Sequence, residues 1–346
     1  MSEIATGTWT EKLPELRVPQ AVMIGNPSRF TNIYIRQPEH ILLAEEILPE
    51  QSVEIRVFEG STKSLHDYAS DPKQAREGSL GAQLRTRLEM FRDGPVKQLG
   101  QRLVYDARFV YNGNLAHLVG HHLARLGYAK DKLGVGANDV LVILEKNSPG
   151  ISHRIFEMVG YETCETNRVV SANVLEVDID RYESYRITPY VALVEPTGIP
   201  TSAREKVFIS RQSSRRLTNE AEIIEVLEGH GYSTHYFESI PLKEQWSIVR
   251  DAGSIVSIHG AALGYLCGKG SAGSDYTLLE IMSPGLVADI FRKTTAALGG
   301  RYICCRGQLS SEFVKTVDES ENYRTMEAAD FYLHPDALER ALAEMS

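Results

Sequence analysis

The feature that most constrains this chain is the regular alternation of its second half. A break falls at VEPTGIPTSAREK, residues 194 to 206, where two prolines, a glycine and small polar residues interrupt the pattern. Beyond it, short apolar runs and amphipathic runs take turns. KVFISR reads as a strand, and Asn219 with Glu222 forms a capping pair opening a helix with Ile223, Val226 and Leu227 on one face. STHYFES follows as a strand, PLKEQWSIVRDA as a helix with Pro241 in its first turn, and SIVSIHG as a short buried strand. TLLEIMS, LVADIFRKTTAALGG and RYICC add strand, helix and strand. Strands separated by helices of this length require a parallel sheet with crossovers, so this half reads as a Rossmann-like layered α/β domain.

The first half is less regular. AVMIG at 21 to 25, VEIRVFEG at 53 to 60, RLVYDARFVYNG at 102 to 113, DVLVILE at 139 to 145 and RVVSANVLEV at 168 to 177 read as strands. NLAHLVGHHLARLGYA puts Leu115, Leu118, Val119, His122 and Leu126 on one helical stripe, and ISHRIFEMVGYE at 151 to 162 reads as a second helix. Residues 61 to 101 are polar and read as exposed helix and loop. With 346 residues, two domains are expected, at 1–199 and 200–330, with a helix in 331–346 packing back on the first.

Charge and cysteine content exclude several classes. Lys and Arg number 37 against 46 Asp and Glu, giving −9, which argues against a protein that coats nucleic acid. No run approaches the length of a membrane span, and the first residues have no apolar signal core, so the expected location is cytoplasmic. Cys164, Cys267, Cys304 and Cys305 form no CxxC pair and read as buried free thiols in a reducing compartment.

Four constellations carry chemistry. In VFISRQSSRRLTNE, Arg211, Arg215 and Arg216 sit at or beyond a strand's carboxyl end, ahead of a helix; three guanidiniums there suit a diphosphate, or form an exposed basic turn. In SIVSIHGAALGYL, a strand runs into His259 and Gly260, where glycine permits positive φ or close approach, and Ala261 and Ala262 leave room for a group; a core histidine beside a tight turn is the alternative. Glu280, near the end of an apolar strand, needs a partner, either ribose hydroxyls or an arginine. In the first half, Asn114 caps a helix that carries His117 one turn in, with His121 on the same face. A hydrolytic zinc helix would need Glu where Leu118 stands, so no metal site is assigned.

Taken in order, the Arg-bearing loop, Asn219 with Glu220, Gln245, the HGA triplet and the Glu280 strand resemble glycosyltransferase family 61 over about 80 residues, and NLAH resembles that family's Asn-to-His stretch. The resemblance implies a GT-B fold, two Rossmann-like domains facing a cleft. It also implies a nucleotide-sugar donor held by the C-terminal domain, inversion at the anomeric carbon and no metal or other cofactor. Under it, Asn114, Arg211, Arg215, Arg216, His259, Gly260, Ala261 and Ala262 bind the donor, a UDP-sugar in the first instance. Glu280 holds its ribose, and His117 is the base, with Asp106 and Glu157 as alternatives. Ala262 departs from the glycine common at that place, which bears on donor choice. The expected acceptor is a glycan or lipid-linked glycan at a membrane face, in surface polysaccharide synthesis. A polysaccharide pyruvyl transferase and a non-catalytic nucleotide-sugar binder are the competing readings.

Overall fold

The computed structural model describes residues 5–25, 40–62, 97–108, 113–199, 205–270, 275–285, 288–309 and 327–345. Its strands, in chain order, are β1 (Gly7–Leu13), β2 (Leu16–Val18), β3 (Ala21–Ile24), β4 (His40–Leu43), β5 (Glu46–Leu48), β6 (Gln51–Ser61), β7 (Lys97–Asp106) and β8 (Val140–Leu144). There follow β9 (Glu162–Glu165), β10 (Val170–Asp178), β11 (Lys206–Ser210), β12 (Ser233–Tyr236), β13 (Ser254–Ile258), β14 (Thr277–Met282) and β15 (Arg301–Arg306). The α-helices are α1 (Ala124–Leu133), α2 (Gly150–Met158), α3 (Glu220–Gly229), α4 (Leu242–Asp251), α5 (Ile290–Ala297) and α6 (Pro335–Met345). Most of the polar segment assigned to exposed helix and loop, residues 63 to 96, lies outside the described residues.

The chain divides into two compact units, Met1–Pro14 with Glu50–Gly198, and Glu15–Pro49 with Ile199–Ser346. A cut near residue 199 is found, but residues 15 to 49 leave the expected first domain and join the second. The reason lies in β3, whose Ala21, Met23 and Ile24 are buried and whose neighbour is β15, a strand 280 residues later in the chain.

In the first unit the sheet order is β1-β6-β10-β7-β8-β9. Strands β10, β7, β8 and β9 run parallel, while β6 pairs antiparallel with both β1 and β10. Every residue of VLVIL in β8 is buried, as a central parallel strand demands, whereas β6 buries Val53, Ile55 and Val57 and turns Glu54 and Arg56 outward. The unit is α/β with a mixed sheet. The helical run after Asn114 is also less regular than its stripe predicts. A short turn, Leu115–His117, passes into a π-helical segment, Leu118–Leu123, before α1 begins, and Gly134 ends α1 at φ 71°. Helix α2 ends at Met158, short of the 162 that the pattern gave, and Glu162 already belongs to β9.

The second unit holds a seven-stranded sheet, β12-β11-β13-β14-β15-β3-β4, parallel throughout except for β3 against β4, and a small antiparallel pair, β2 and β5. This is the layered α/β arrangement that the alternation predicts. Helix α6 packs against β3, β14, β15 and α3. Its Ala337, Leu338, Ala341 and Leu342 share one core with Phe208, Val256, Leu279 and Ile303. The C-terminal helix therefore completes the core of the second unit.

Candidate functional site

Strand order in the second unit reverses at β11. The chain leaves β11 through α3 to β12 on one side, then returns through α4 to β13 on the other. At such a switch point the carboxyl ends of adjacent parallel strands open a crevice. Arg211 is the first residue after β11, and His259 the first after β13. The structure joins the two loops directly, since Arg211 Nη1 donates to the His259 carbonyl at 3.1 Å.

Two of the three arginines are poised for an anion. Arg211 Nη2 reaches Ser214 Oγ at 3.3 Å, but its buried Nε has no hydrogen-bond partner among the described residues. Arg215 is half-buried, and its Nε is likewise buried without a partner. Burial first, then the neighbouring Arg211 charge, pulls the Arg215 guanidinium down to about 10, with Glu327 opposing. Burial also lowers Arg211, against the opposing charge of Glu238. Two like charges held together with unspent donors are costly unless an anion arrives to meet them. Arg215 also carries a left-handed backbone, φ 56°, a conformation that costs a non-glycine residue about 1 to 3 kcal/mol and accumulates at functional sites. Its amide donates to the Ala328 carbonyl at 3.1 Å, which helps fix the turn.

Arg216 does not join them. It is exposed, and Asp330 takes its backbone amide at 2.9 Å and its Nη2 at 2.7 Å. The donor-binding role read for Arg216 is therefore replaced by a structural one, tying the loop to the segment that leads into α6. Asn219 does the same work. Its Nδ2 donates to Glu222 at 2.8 Å and to the Leu333 carbonyl at 2.9 Å, and its Oδ1 accepts from the Leu333 amide at 3.2 Å, so it clamps Leu333 and makes no side-chain cap on α3.

Gly260 is extended, with φ 172°, so positive φ is not why glycine stands there. A Cβ at that place would lie 1.8 Å from Arg211 Nη1: the glycine admits the guanidinium. Ala261 and Ala262 open a 3₁₀ helix, Ala261–Lys269, whose first turn closes with the Leu263 amide on the Gly260 carbonyl at 3.1 Å. Their amides precede that bond, where a helix leaves donors unspent. Glu280 is wholly buried. One carboxylate oxygen lies 2.5 Å from His259 Nδ1 and the other accepts from the Tyr302 hydroxyl at 2.6 Å. With both oxygens turned inward, Glu280 supports the imidazole and is not placed to hold a ribose. Tyr302 was not legible in RYICC, where it reads as one more buried strand residue. Gln245, part of the family resemblance, is buried and donates to the Phe237 and Ile240 carbonyls at 2.7 and 2.6 Å, fixing the turn before α4.

In the first unit, Asn114 caps its helix as the sequence indicates, accepting from the Ala116 amide at 2.9 Å. His117 is half-buried, and its ring lies 4.9 Å from that of His121, which hydrogen-bonds Ser184 at 2.9 Å. His122 is buried against Tyr105 and Phe156 and bonds the Tyr105 hydroxyl at 3.0 Å. Asp106 is committed to Arg108, which reaches it through Nε at 2.8 Å and Nη2 at 2.7 Å, and Glu157 is exposed on α2. Among the described residues no three His, Cys, Asp or Glu side chains are grouped to hold a metal.

Residues 115–265 match the family model Glycosyltransferase 61. Over that stretch the chain is similar to glycosyltransferase family 61. The match runs from the His117 helix through the Arg211 and His259 loops. No curated protein sequence matches it. Among solved structures, it is similar to the dodecameric iron-containing heptosyltransferase TibC in complex with ADP-D-beta-D-heptose, at 10% identity and a TM-score of 0.35, over 97% of this chain and 94% of that one. It is also similar to TibC from enterotoxigenic E. coli H10407, at 12% identity and a TM-score of 0.30, over 79% and 74%. No helix among the described residues is long and apolar enough to cross a membrane.

Proposed function

We propose that the second unit binds the diphosphate of a nucleotide-sugar donor at Arg211, Arg215, His259 and the amides of Gly260, Ala261 and Ala262, and that the enzyme passes the sugar to a glycan or lipid-linked glycan with inversion. The observation that carries this reading is the pair of guanidiniums at the strand switch, each with a buried and unpartnered Nε. Two cations match the two charges of a donor diphosphate, so the bound donor is neutralised without a metal ion. In the displacement the acceptor oxygen bonds to the anomeric carbon while the anomeric C–O bond breaks, its electron pair staying on the β-phosphate. The acceptor's proton goes to His117, whose unit contributes Asn114 beside it, in a GT-B arrangement. A cytoplasmic enzyme of surface polysaccharide synthesis is the setting that fits this chemistry.

UDP, GDP, ADP and phosphoenolpyruvate, each titrated in a thermal-shift assay, separate this reading from that of a pyruvyl transferase. A nucleoside diphosphate is expected to raise the melting temperature and phosphoenolpyruvate is not; the reverse result overturns the reading. Product mass in the presence of candidate nucleotide sugars then identifies the donor. His117→Ala is expected to keep nucleotide binding and to lose about a hundredfold or more in turnover, whereas unchanged turnover removes His117 as the base.

A further inference from the structure

Behind the strand switch lies a buried chain of three polar groups whose chemistry goes beyond holding a loop in place. His259 Nδ1 faces a carboxylate oxygen at 2.5 Å, and a carboxylate only accepts, so Nδ1 donates and the opposite nitrogen, Nε2, is the one left to meet a ligand. Glu280 is fully enclosed, and its hydrogen-bonding partners are His259 and Tyr302. Among the described residues no lysine or arginine pairs with this buried carboxylate, so the imidazole is the one neighbour able to supply a countercharge. On the other side stand cations: Arg211 bonds the His259 carbonyl, with Arg215 close to Arg211. From α5 the ring meets Phe291, with centroids 5.3 Å apart, which adds no charge. Cys304, on β15, lies near Glu280 and Tyr302.

Resting on the donor-binding reading above, we propose that Glu280 and Tyr302 are positioning residues that couple diphosphate binding to proton uptake at His259 Nε2. The imidazolium so formed meets the negative charge that grows on the β-phosphate as the anomeric C–O bond breaks. With the crevice empty, the arginines oppose a third cation. A bound diphosphate cancels them, and Glu280 then favours the proton. The leaving nucleoside diphosphate bears one more negative charge than the donor's diphosphate diester, so the imidazolium stabilises the departing group more than the bound donor.

The test measures the dissociation constant of whichever of UDP, GDP or ADP stabilises the wild-type chain, from pH 6 to 9, in wild type, Glu280→Gln, Tyr302→Phe and His259→Gln. His259→Gln supplies the profile due to the ligand's own ionisation. A guanidinium stays charged through this range, so Arg215 adds no slope. Relative to that reference, wild-type affinity is expected to fall as pH rises, by up to tenfold per unit. Glu280→Gln moves this fall to lower pH, because the carboxylate that favours the proton is gone. Tyr302→Phe moves it to higher pH, because a carboxylate that has lost one hydrogen bond attracts the proton more strongly. In turnover, Glu280→Gln lowers kcat about tenfold or more with donor KM within about threefold. Opposite shifts from the two variants support the coupling; wild-type, Glu280→Gln and Tyr302→Phe profiles that coincide with His259→Gln overturn it. Should Glu280→Gln not fold, the Tyr302→Phe profile decides. A wild-type chain that binds none of the three nucleotides overturns the donor reading instead.

Discussion

At Arg215 and Arg216 two identical side chains, adjacent in sequence, have opposite fates. Asp330 pairs with Arg216 at the surface, whereas Arg215 turns inward on a left-handed backbone and keeps a buried donor unspent. Arg215→Ala is therefore expected to weaken nucleoside diphosphate binding by about 1.5 to 3 kcal/mol, the range for a hydrogen bond to a charged group. Arg216→Ala should change it by less than about twofold, since water screens an exposed ion pair and its partner Asp330 lies outside the strand switch. Calorimetric titration of both variants decides, and equal losses would return Arg216 to the site. Gly260→Ala makes the same point from the other side of the contact. Its added methyl group would occupy the place of Arg211 Nη1, so the chain should fold normally but bind the diphosphate roughly tenfold more weakly, about 1.4 kcal/mol.

Among the elements, the helical run after Asn114 shows how packing overrides pattern. Its apolar stripe predicts a plain α-helix, yet six residues, Leu118–Leu123, wind as π-helix before α1 begins. Gly127 in α1 lies against the 3₁₀ helix Arg181–Val194, so close that a Cβ would sit 2.1 Å from the Tyr190 carbonyl oxygen. The glycine is thus required by a neighbour 63 residues away. Gly127→Ala is expected to destabilise the first unit by about 1 to 3 kcal/mol, the usual cost of overpacking, as read from urea midpoints. A loss below about 0.5 kcal/mol would mean that the 3₁₀ helix moves aside at little cost. Buried Arg125 on α1 reinforces the same packing by donating to the Val177, Ile179 and His121 carbonyls at 3.1 to 3.2 Å.

For the whole molecule, the two tryptophans report separately: Trp9 is partly exposed in the first unit and Trp246 is fully buried in the second. In Trp9→Phe, thermal unfolding followed by Trp246 fluorescence should shift upward with nucleoside diphosphate, reaching about 2.7 kcal/mol of stabilisation at a hundredfold excess over Kd. An unmoved midpoint would place the ligand outside this unit. What the sequence alone determined was local: the alternating runs of residues 206 to 306, the Asn114 cap and the donor-rich ends of two strands, each set by neighbours within a few residues. It could not show which strands lie side by side, because β3 reaches β15 across 280 residues and Asp330 reaches Arg216 across 114. Nor could it turn Glu280 toward His259 and Tyr302, since a carboxylate's partner is decided by which side chains share its enclosure. Pattern follows from local periodicity, whereas burial and charge pairing exist only once distant segments have closed around one another.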